Sequence, residues 1–252
     1  MKRTDYEQIA ARYDENTIRH KIPRDRALEG AVAKAGSGPL AALDVGCGTG
    51  NYLAAQVAAF GDRVAWTGVD PSEAMLARAA GKVPGAALVR GRAESLPFAD
   101  GAFDYVVTSF TLHHFEHKAR ALDEMVRVLR PGGAIRVVNV DPTHAPRSWV
   151  FAYFPEAWLE DQKRFWSPAL LHHELEERGL APRTRVEITL ARARLATILV
   201  DAERRDISEL AILPEPAHAR GLARLRDALA RDPDATHADE LALVEAVGSR
   251  AE

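Results

Sequence analysis

The chain has 252 residues, 47% of them hydrophobic, and a formal net charge of -3. That is enough for one sizeable core with a small accessory subdomain, and it lacks the charge that would draw the chain to nucleic acid or an anionic membrane. Arginine outnumbers lysine 27 to 6, but acids interleave with it throughout, which reads as compositional bias and not as a phosphate-binding stripe. The single cysteine, Cys47, excludes an internal disulfide and any multi-cysteine metal site. No apolar run approaches the ~20 residues of a membrane span, and residues 1–7 open no signal peptide, so a cytoplasmic protein is expected.

Residues 5–14 and 24–36 read as helices, the second with Leu28, Val32 and Ala35 at helical spacing. A short apolar strand then runs into Leu43-Asp44-Val45-Gly46-Cys47-Gly48-Thr49-Gly50-Asn51-Tyr52, with glycines at alternate positions. Glycine has no Cβ, so such a turn can take positive φ and let a nucleoside touch the backbone. A nicotinamide-type fold would want the third glycine where Asn51 stands. Alone, the triplet is equally consistent with a tight strand-to-helix turn. A helix over 51–60 and a second strand over 64–69 follow, ending in Asp70, 24 residues after Gly46. An acid at the carboxyl end of a second parallel strand can accept from both ribose hydroxyls. Ser72 is better placed than Asp70 as N-cap of the next helix, which ends near Gly81. Residues 86–90 and 103–110 are the third and fourth strands. Leu122, Met125, Val126 and Leu129 stripe a helix expected to stop at Pro131-Gly132-Gly133, and 135–140 is the fifth strand. This alternation points to a parallel sheet covered on both faces.

Beyond Asp141 the pattern changes. Residues 142–166 hold Pro142, Pro146 and Pro155 with Trp149, Phe151, Tyr153, Phe154, Trp158, Phe165 and Trp166. A buried connection and a wall of a substrate pocket fit this content equally. Ser167-Pro168 starts a helix that ends at Gly179. Residues 185–190 alternate as a half-buried antiparallel strand, and 240–247 read as a strand buried on both faces. Between them Leu195, Ile198 and Leu199 form one helical stripe and Leu222, Leu225 and Leu229 another.

The motifs GCGTG, GVDPSEAML, RGRAESLPFADGAFDYVVTSFTLHHF and LDEMVRVLRPGGAIRVV stand in this order. Together they resemble the class I S-adenosylmethionine (SAM)-dependent methyltransferases, the ubiquinone/menaquinone-biosynthesis type and its small-molecule relatives above all, over residues 40–141. The resemblance implies an α/β, doubly wound, Rossmann-like seven-stranded sheet whose antiparallel last strand lies between the fifth and sixth. It implies one domain over 1–252: an N-terminal helical lid (1–36), a cofactor-binding core (40–141), the aromatic substrate-side connection (142–166) and a helical cap insertion between the last two strands (192–237). The implied activity is methyl transfer from SAM to a small-molecule acceptor by in-line displacement, with S-adenosylhomocysteine (SAH) as product. The alternative is a non-catalytic cofactor-binding partner or regulatory subunit of the same fold.

Carried over residue by residue, the resemblance puts Asp44, Gly46, Cys47, Gly48, Gly50 and Asn51 around the methionine and ribose of the cofactor. Asp70 would hold the ribose, Pro71 and Met75 would flank the adenine, and Ala93 and Glu94 would pass its edge. Ser109, Phe110 and Tyr13 would line the methionine side. Arg92 replaces an aspartate that commonly accepts from the adenine amino group; arginine offers no acceptor, so Glu94 or a backbone carbonyl must serve. Cys47 reads as a small buried residue and not a nucleophile. For an acceptor hydroxyl, His114 and then His113 are the candidate bases, since neighbours at a strand end cannot both point inward; His144, His172 and His173 are weaker. No metal site, nucleic acid or membrane partner is expected, and the oligomeric state, a homodimer among the options, stays open.

Overall fold

A computed structural model describes residues 13–14, 22–36, 38–205 and 207–251. Of the helix expected over 5–14 only Tyr13 and Asp14 are among them. The rest of that stretch, and with it most of the expected lid, lies outside the described residues.

The chain divides into two compact units, with boundaries at 139/140, 167/168, 185/186 and 244/245. The larger contains five parallel strands, β1 (Leu40–Val45), β2 (Val64–Asp70), β3 (Ala87–Arg90), β4 (Phe103–Ser109) and β5 (Leu129–Val140). With β6 (Leu180–Arg194) and β7 (Thr236–Arg250) they form a seven-stranded sheet in the order β3-β2-β1-β4-β5-β7-β6. The last strand is antiparallel and lies between β5 and β6, as the resemblance implied. Leu43, Val45, Tyr105, Val106, Val107, Ile135 and Val137 are fully buried, the near-continuous apolar runs of strands covered on both faces. Asp44 pairs with Gly68 and Val107, and Ser109 with Val138. The carboxyl ends of β1, β2, β4 and β5 therefore share one edge of the sheet.

Helices α1 (Arg26–Lys34), α2 (Asn51–Phe60), α3 (Glu73–Lys82), α4 (Lys118–Val128) and α7 (Pro168–Glu176) belong to this unit. Asp25 caps α1 by accepting from the amides of Ala27 and Leu28, and its second oxygen accepts from the Tyr52 (2.5 Å) and Tyr105 (2.7 Å) hydroxyls and from Arg136 (3.3 Å). Arg136 in turn donates to Glu245 at 2.7 Å. One buried carboxylate thus joins α1, α2 and two strands. Helix α4 stops at Val128, earlier than the Pro131-Gly132-Gly133 run suggests. The chain is already extended at Leu129, because a residue two ahead of proline begins the β-like approach that Arg130 must take, and β5 starts there with an irregular step opposite Phe103–Tyr105. Strands β6 and β7 each run 15 residues, well beyond 185–190 and 240–247. Residues 187–192 of β6 are exposed throughout, so no apolar alternation marks their extent.

The second unit is helical between its strand segments: α5 (Trp149–Tyr153), α6 (Pro155–Arg164), α8 (Leu195–Arg204), α9 (Ser208–Ala211) and α10 (Glu215–Arg231). It has its own core of Val150, Phe154, Ala157, Leu195, Ile198, Ala202, Leu210, Leu213 and Leu225, with Trp149, Phe151, Tyr153, Leu199, Leu222 and Leu229 packed on it. Most of the aromatic run thus makes a core, the plainer of its two readings. Gly221 lies flat against the Phe154 ring, where a Cβ would come within 2.0 Å of a ring carbon. The buried pair Asp161 and Arg164, 3.0 Å apart, reaches the Ser208 hydroxyl at the start of α9.

Candidate functional site

The glycine turn after β1 is built on positive φ: +77° at Gly46, +53° at Gly48 and +77° at Gly50. The amides of Gly46 and Cys47 donate to the carbonyl of Val69 at 2.8 and 3.1 Å, tying the turn to the end of β2. Asp70 completes the link. One of its oxygens accepts from the Gly48 amide (3.0 Å) and the other from the Ser72 amide (2.9 Å). The Ser72 hydroxyl then caps α3 by accepting from Met75. The three glycines have different reasons. A Cβ on Gly46 would sit 2.6 Å from Thr111 Cγ2 and one on Gly50 3.0 Å from Ala79 Cβ, whereas at Gly48 nothing lies within 4 Å. Gly48 therefore borders open space, as a backbone approached by a ligand should.

Asp44 is 2% exposed, and its Oδ2 is buried without a hydrogen-bond partner. Burial, and then the charge of Asp70, push its carboxyl up to about 8. A sealed acid of this kind favours a cation beside it. On the neighbouring strand Ser109 Oγ is a second buried polar atom without a partner. Phe110 follows with φ +57°, a left-handed conformation for a bulky side chain, held by its amide on the Val138 carbonyl (2.8 Å) and 45% exposed. Cys47 is buried in the turn, and burial together with Asp44 and Asp70 pushes its thiol far up, so it is no nucleophile at neutral pH.

Asp14 was not singled out by sequence reasoning. It accepts from Thr49 (2.7 Å) and Asn51 (3.0 Å) with one oxygen and from Lys82 (2.8 Å) with the other, and Lys82 also donates to Asn51 Oδ1 at 2.6 Å. Burial pushes its carboxyl up, but the bonds from Lys82, Thr49 and Asn51 together prevail and hold it at about 2. Tyr13, beside it, is half-buried. On the opposite flank Met75 is fully buried, Pro71 exposed and Ala93 buried. Glu94 turns to the connection before α4, accepting from the Glu116 amide at 2.7 Å and facing Arg92 at 3.5 Å. The Arg92 carbonyl accepts from the Ser95 amide, and the Glu94 carbonyl from Arg120.

The two histidines stand on a single helical turn, Leu112–His114, and not on the end of a strand, because the chain reverses at Phe110. Strand alternation therefore does not separate them, and their rings stack with centroids 3.8 Å apart. His113 is buried with Nδ1 3.0 Å from Asn139 Oδ1, and His114 is half-buried. His144, in the other unit, donates from Nδ1 to the buried Asp141, and His172 pairs with Thr184 and Glu176. Among the described residues no three His, Cys, Asp or Glu gather as metal ligands, and no helix is long and apolar enough to cross a membrane.

Residues 43–137, which include the glycine turn, Asp70 and the histidine turn, match the family described as the methyltransferase domain. Over that segment the chain is similar to methyltransferase domains. Demethylmenaquinone methyltransferase of Staphylococcus aureus strain MRSA252 is 38% identical over 138 residues, which are 52% of this chain and 56% of that protein. The chain thus matches only about half the length of such relatives. Among solved structures, a putative methyltransferase from an antibiotic biosynthesis pathway of Anabaena variabilis has a TM-score of 0.65 at 24% identity, over 90% of this chain and 98% of that one. YcgJ of Bacillus subtilis gives 0.59 at 22% over the same shares. These two likenesses are of fold. The matched segment contains the residues from Asp44 to Phe110 named above, while the helical unit lies outside it.

Proposed function

We propose that the chain is a SAM-dependent methyltransferase whose acceptor is a small aromatic molecule with an acidic hydroxyl, a reduced quinone of the demethylmenaquinone class being the first to try. The observation that carries this reading is the pair of buried atoms without partners, Asp44 Oδ2 and Ser109 Oγ, at the end of the sheet where Gly48 leaves its backbone open. A ligand with an ammonium group, a ribose and polar methionine atoms answers all of them. Asp44 would take the ammonium group. Asp70 would take the ribose, since each carboxylate oxygen can accept more than one donor. Gly46, Cys47, Gly48, Gly50 and Asn51 would wrap the turn around the ligand, with the start of α2 favouring its carboxylate by about 0.3 to 1 kcal/mol. Pro71, Met75, Ala93 and Glu94 would border the adenine, and Tyr13, Ser109 and Phe110 the methionine.

Bound SAM supplies an electrophilic methyl group and its own leaving group. The C–S bond breaks as the acceptor bonds to the methyl carbon, sulfur keeps the electron pair, and the acceptor's proton must go to a base. The protein's part is then alignment and exclusion of water, worth up to about 7 to 11 kcal/mol where orientation is good. Methyl transfer needs no further cofactor.

The test uses purified protein, SAM labelled in the methyl group, and either reduced short-chain demethylmenaquinone or a small-molecule fraction of cell extract, with SAH binding followed by calorimetry. Label in a small molecule is the expected outcome. Tight SAH binding with label nowhere would replace the enzyme with a cofactor-binding partner, and no SAH binding would remove the reading altogether.

A further inference from the structure

We propose that Asp14 is a positioning residue: through Thr49 and Asn51 it holds the side chains on either side of Gly50, and so keeps the glycine turn in the shape that binds SAM. This rests on the methyltransferase reading above. The need for such a hold comes from the turn itself. Helix α2 begins at Asn51 behind Gly50, which sits at φ +77° and has no side chain to cap the helix. The leading amides of a helix have no partner within it, so they serve an anionic ligand only where something outside the helix fixes their direction. The Gly50 amide donates to the Cys47 carbonyl at 2.9 Å, and a Cβ on Gly50 would meet Ala79 Cβ of α3 at 3.0 Å. The turn therefore lies against α3, and α3 ends at Lys82.

Asp14 joins the two. Its Oδ1 accepts from Thr49 Oγ1 (2.7 Å) and Asn51 Nδ2 (3.0 Å), and its Oδ2 from Lys82 (2.8 Å) and Arg78 (3.3 Å). Lys82 donates as well to Thr49 Oγ1 at 3.0 Å and to Asn51 Oδ1 at 2.6 Å, so its three hydrogens are all engaged. Thr49 is 1% exposed, and the side chains of Asp14 and Lys82 are 13% and 27% exposed. Charge-assisted bonds in so sheltered a place are stronger and less screened than surface pairs. Asn51 gives a hydrogen to Asp14 from its nitrogen and takes one from Lys82 on its oxygen, which fixes the plane of its amide. With its hydrogens engaged inside the cluster, Lys82 acts on the ligand through the turn and not as a direct partner of the ligand's carboxylate. Loss of the Asp14 carboxylate takes the shared acceptor from Thr49, Asn51, Arg78 and Lys82 together, and the backbone from Gly48 to Asn51 loses its outer hold.

The test is calorimetry with SAH on wild type, D14A, D14N, K82M and D14N/K82M, together with hydrogen exchange of the backbone amides of residues 46–52 in ligand-free protein. D14A should weaken SAH binding by about 10-fold or more, and D14N by less, since asparagine keeps an acceptor but not the charge. In ligand-free D14A the amides of 46–52 should exchange faster than in wild type. D14N and K82M should each lower affinity, and the double variant should lose no more than the worse of the two, as for groups that act as one unit. A residue that only stabilised the fold would lower Tm and leave SAH affinity unmoved. Affinity in D14A within about twofold of wild type, unchanged exchange, or losses that add in the double variant overturn the proposal. So does tighter binding in D14N, which would make Lys82 the ligand's own partner and Asp14 its competitor. Exchange is read without ligand, so the proposal can fail while SAH still binds wild type; failure of wild type to bind SAH strikes the methyltransferase reading instead.

Discussion

The substitution Gly48→Ala separates what the glycine turn needs for folding from what it needs for a ligand. At φ +53° an alanine is strained by its backbone alone, about 1 to 2 kcal/mol. Its Cβ meets nothing within 4 Å, so no packing penalty is added. In a chain of this size each kcal/mol moves the midpoint by about 2 to 4 °C, so Tm should fall by roughly 2 to 8 °C. If the open space is where the cofactor passes, the methyl intrudes on the ligand at about 1 to 3 kcal/mol, a loss of roughly 5- to 150-fold in Kd for SAH. Gly46→Ala is the contrasting control. Its Cβ would lie 2.6 Å from Thr111 Cγ2, so the protein itself must shift and Tm should fall further. Thermal unfolding and isothermal calorimetry with SAH read both quantities. A Gly48→Ala protein with the expected fall in Tm and SAH affinity within threefold of wild type would refute the assignment of that space to the cofactor.

Three further outcomes follow from buried groups. The Asp44 carboxyl is held at about 8 when folded, against 3.8 ordinarily, so the stability it contributes is full below the ordinary value and is lost as pH rises through the folded one. Urea unfolding of ligand-free protein should show stability declining between about pH 4 and 8, a slope that flattens in Asp44→Asn; SAH binding near pH 7 should release a proton in wild type only, measured by calorimetry in buffers of different ionisation heat. Asp25→Ala removes a helix cap worth ~1 kcal/mol, takes the shared acceptor from the buried Tyr52 and Tyr105 hydroxyls and leaves Arg136 only its Glu245 partner, so a loss of about 3 kcal/mol or more in chemical unfolding is expected. Gly221→Ala drives a methyl into the Phe154 ring and should destabilise the helical unit by about 1 to 3 kcal/mol, visible in limited proteolysis, while SAH affinity stays within twofold.

The βαβ order is legible because parallel strands buried on both faces are unbroken apolar runs, and because glycine, proline and serine mark the turns between them. Strand length is legible only as far as burial reaches. Residues 187–192 of β6 are exposed, and no alternation survives where neither side chain must hide. The aromatic run after Asp141 fits a core and a pocket wall alike in the sequence, since Phe154 and Val150 have the same composition whether they face a ligand or Leu225. The Asp14 cluster joins positions 31 to 68 residues apart through polar side chains with no fixed spacing, so periodicity cannot announce it. For the histidine pair, strand alternation fails for a definite reason. Phe110 takes a left-handed conformation that a glycine would have advertised, and once β4 ends there the alternation rule no longer applies to His113 and His114.

Asp44 and Asp70 show how far environment can divide two identical side chains. Both stand at the ends of neighbouring parallel strands, and a sequence motif treats them alike. Asp70 accepts two backbone amides and so binds the ends of β1 and β2 together whether or not a ligand is present. Asp44 is sealed, holds one oxygen without a partner, and feels the charge of Asp70, so it resists ionisation until a cation arrives. The first carboxylate therefore shapes the turn, and the second reports on what enters it. A neutral nucleoside could satisfy the hydrogen-bonding capacity of Asp70 but would leave Asp44 as it is. An ammonium group set beside Asp44 would offset the cost of ionising it, which a neutral ligand could not do.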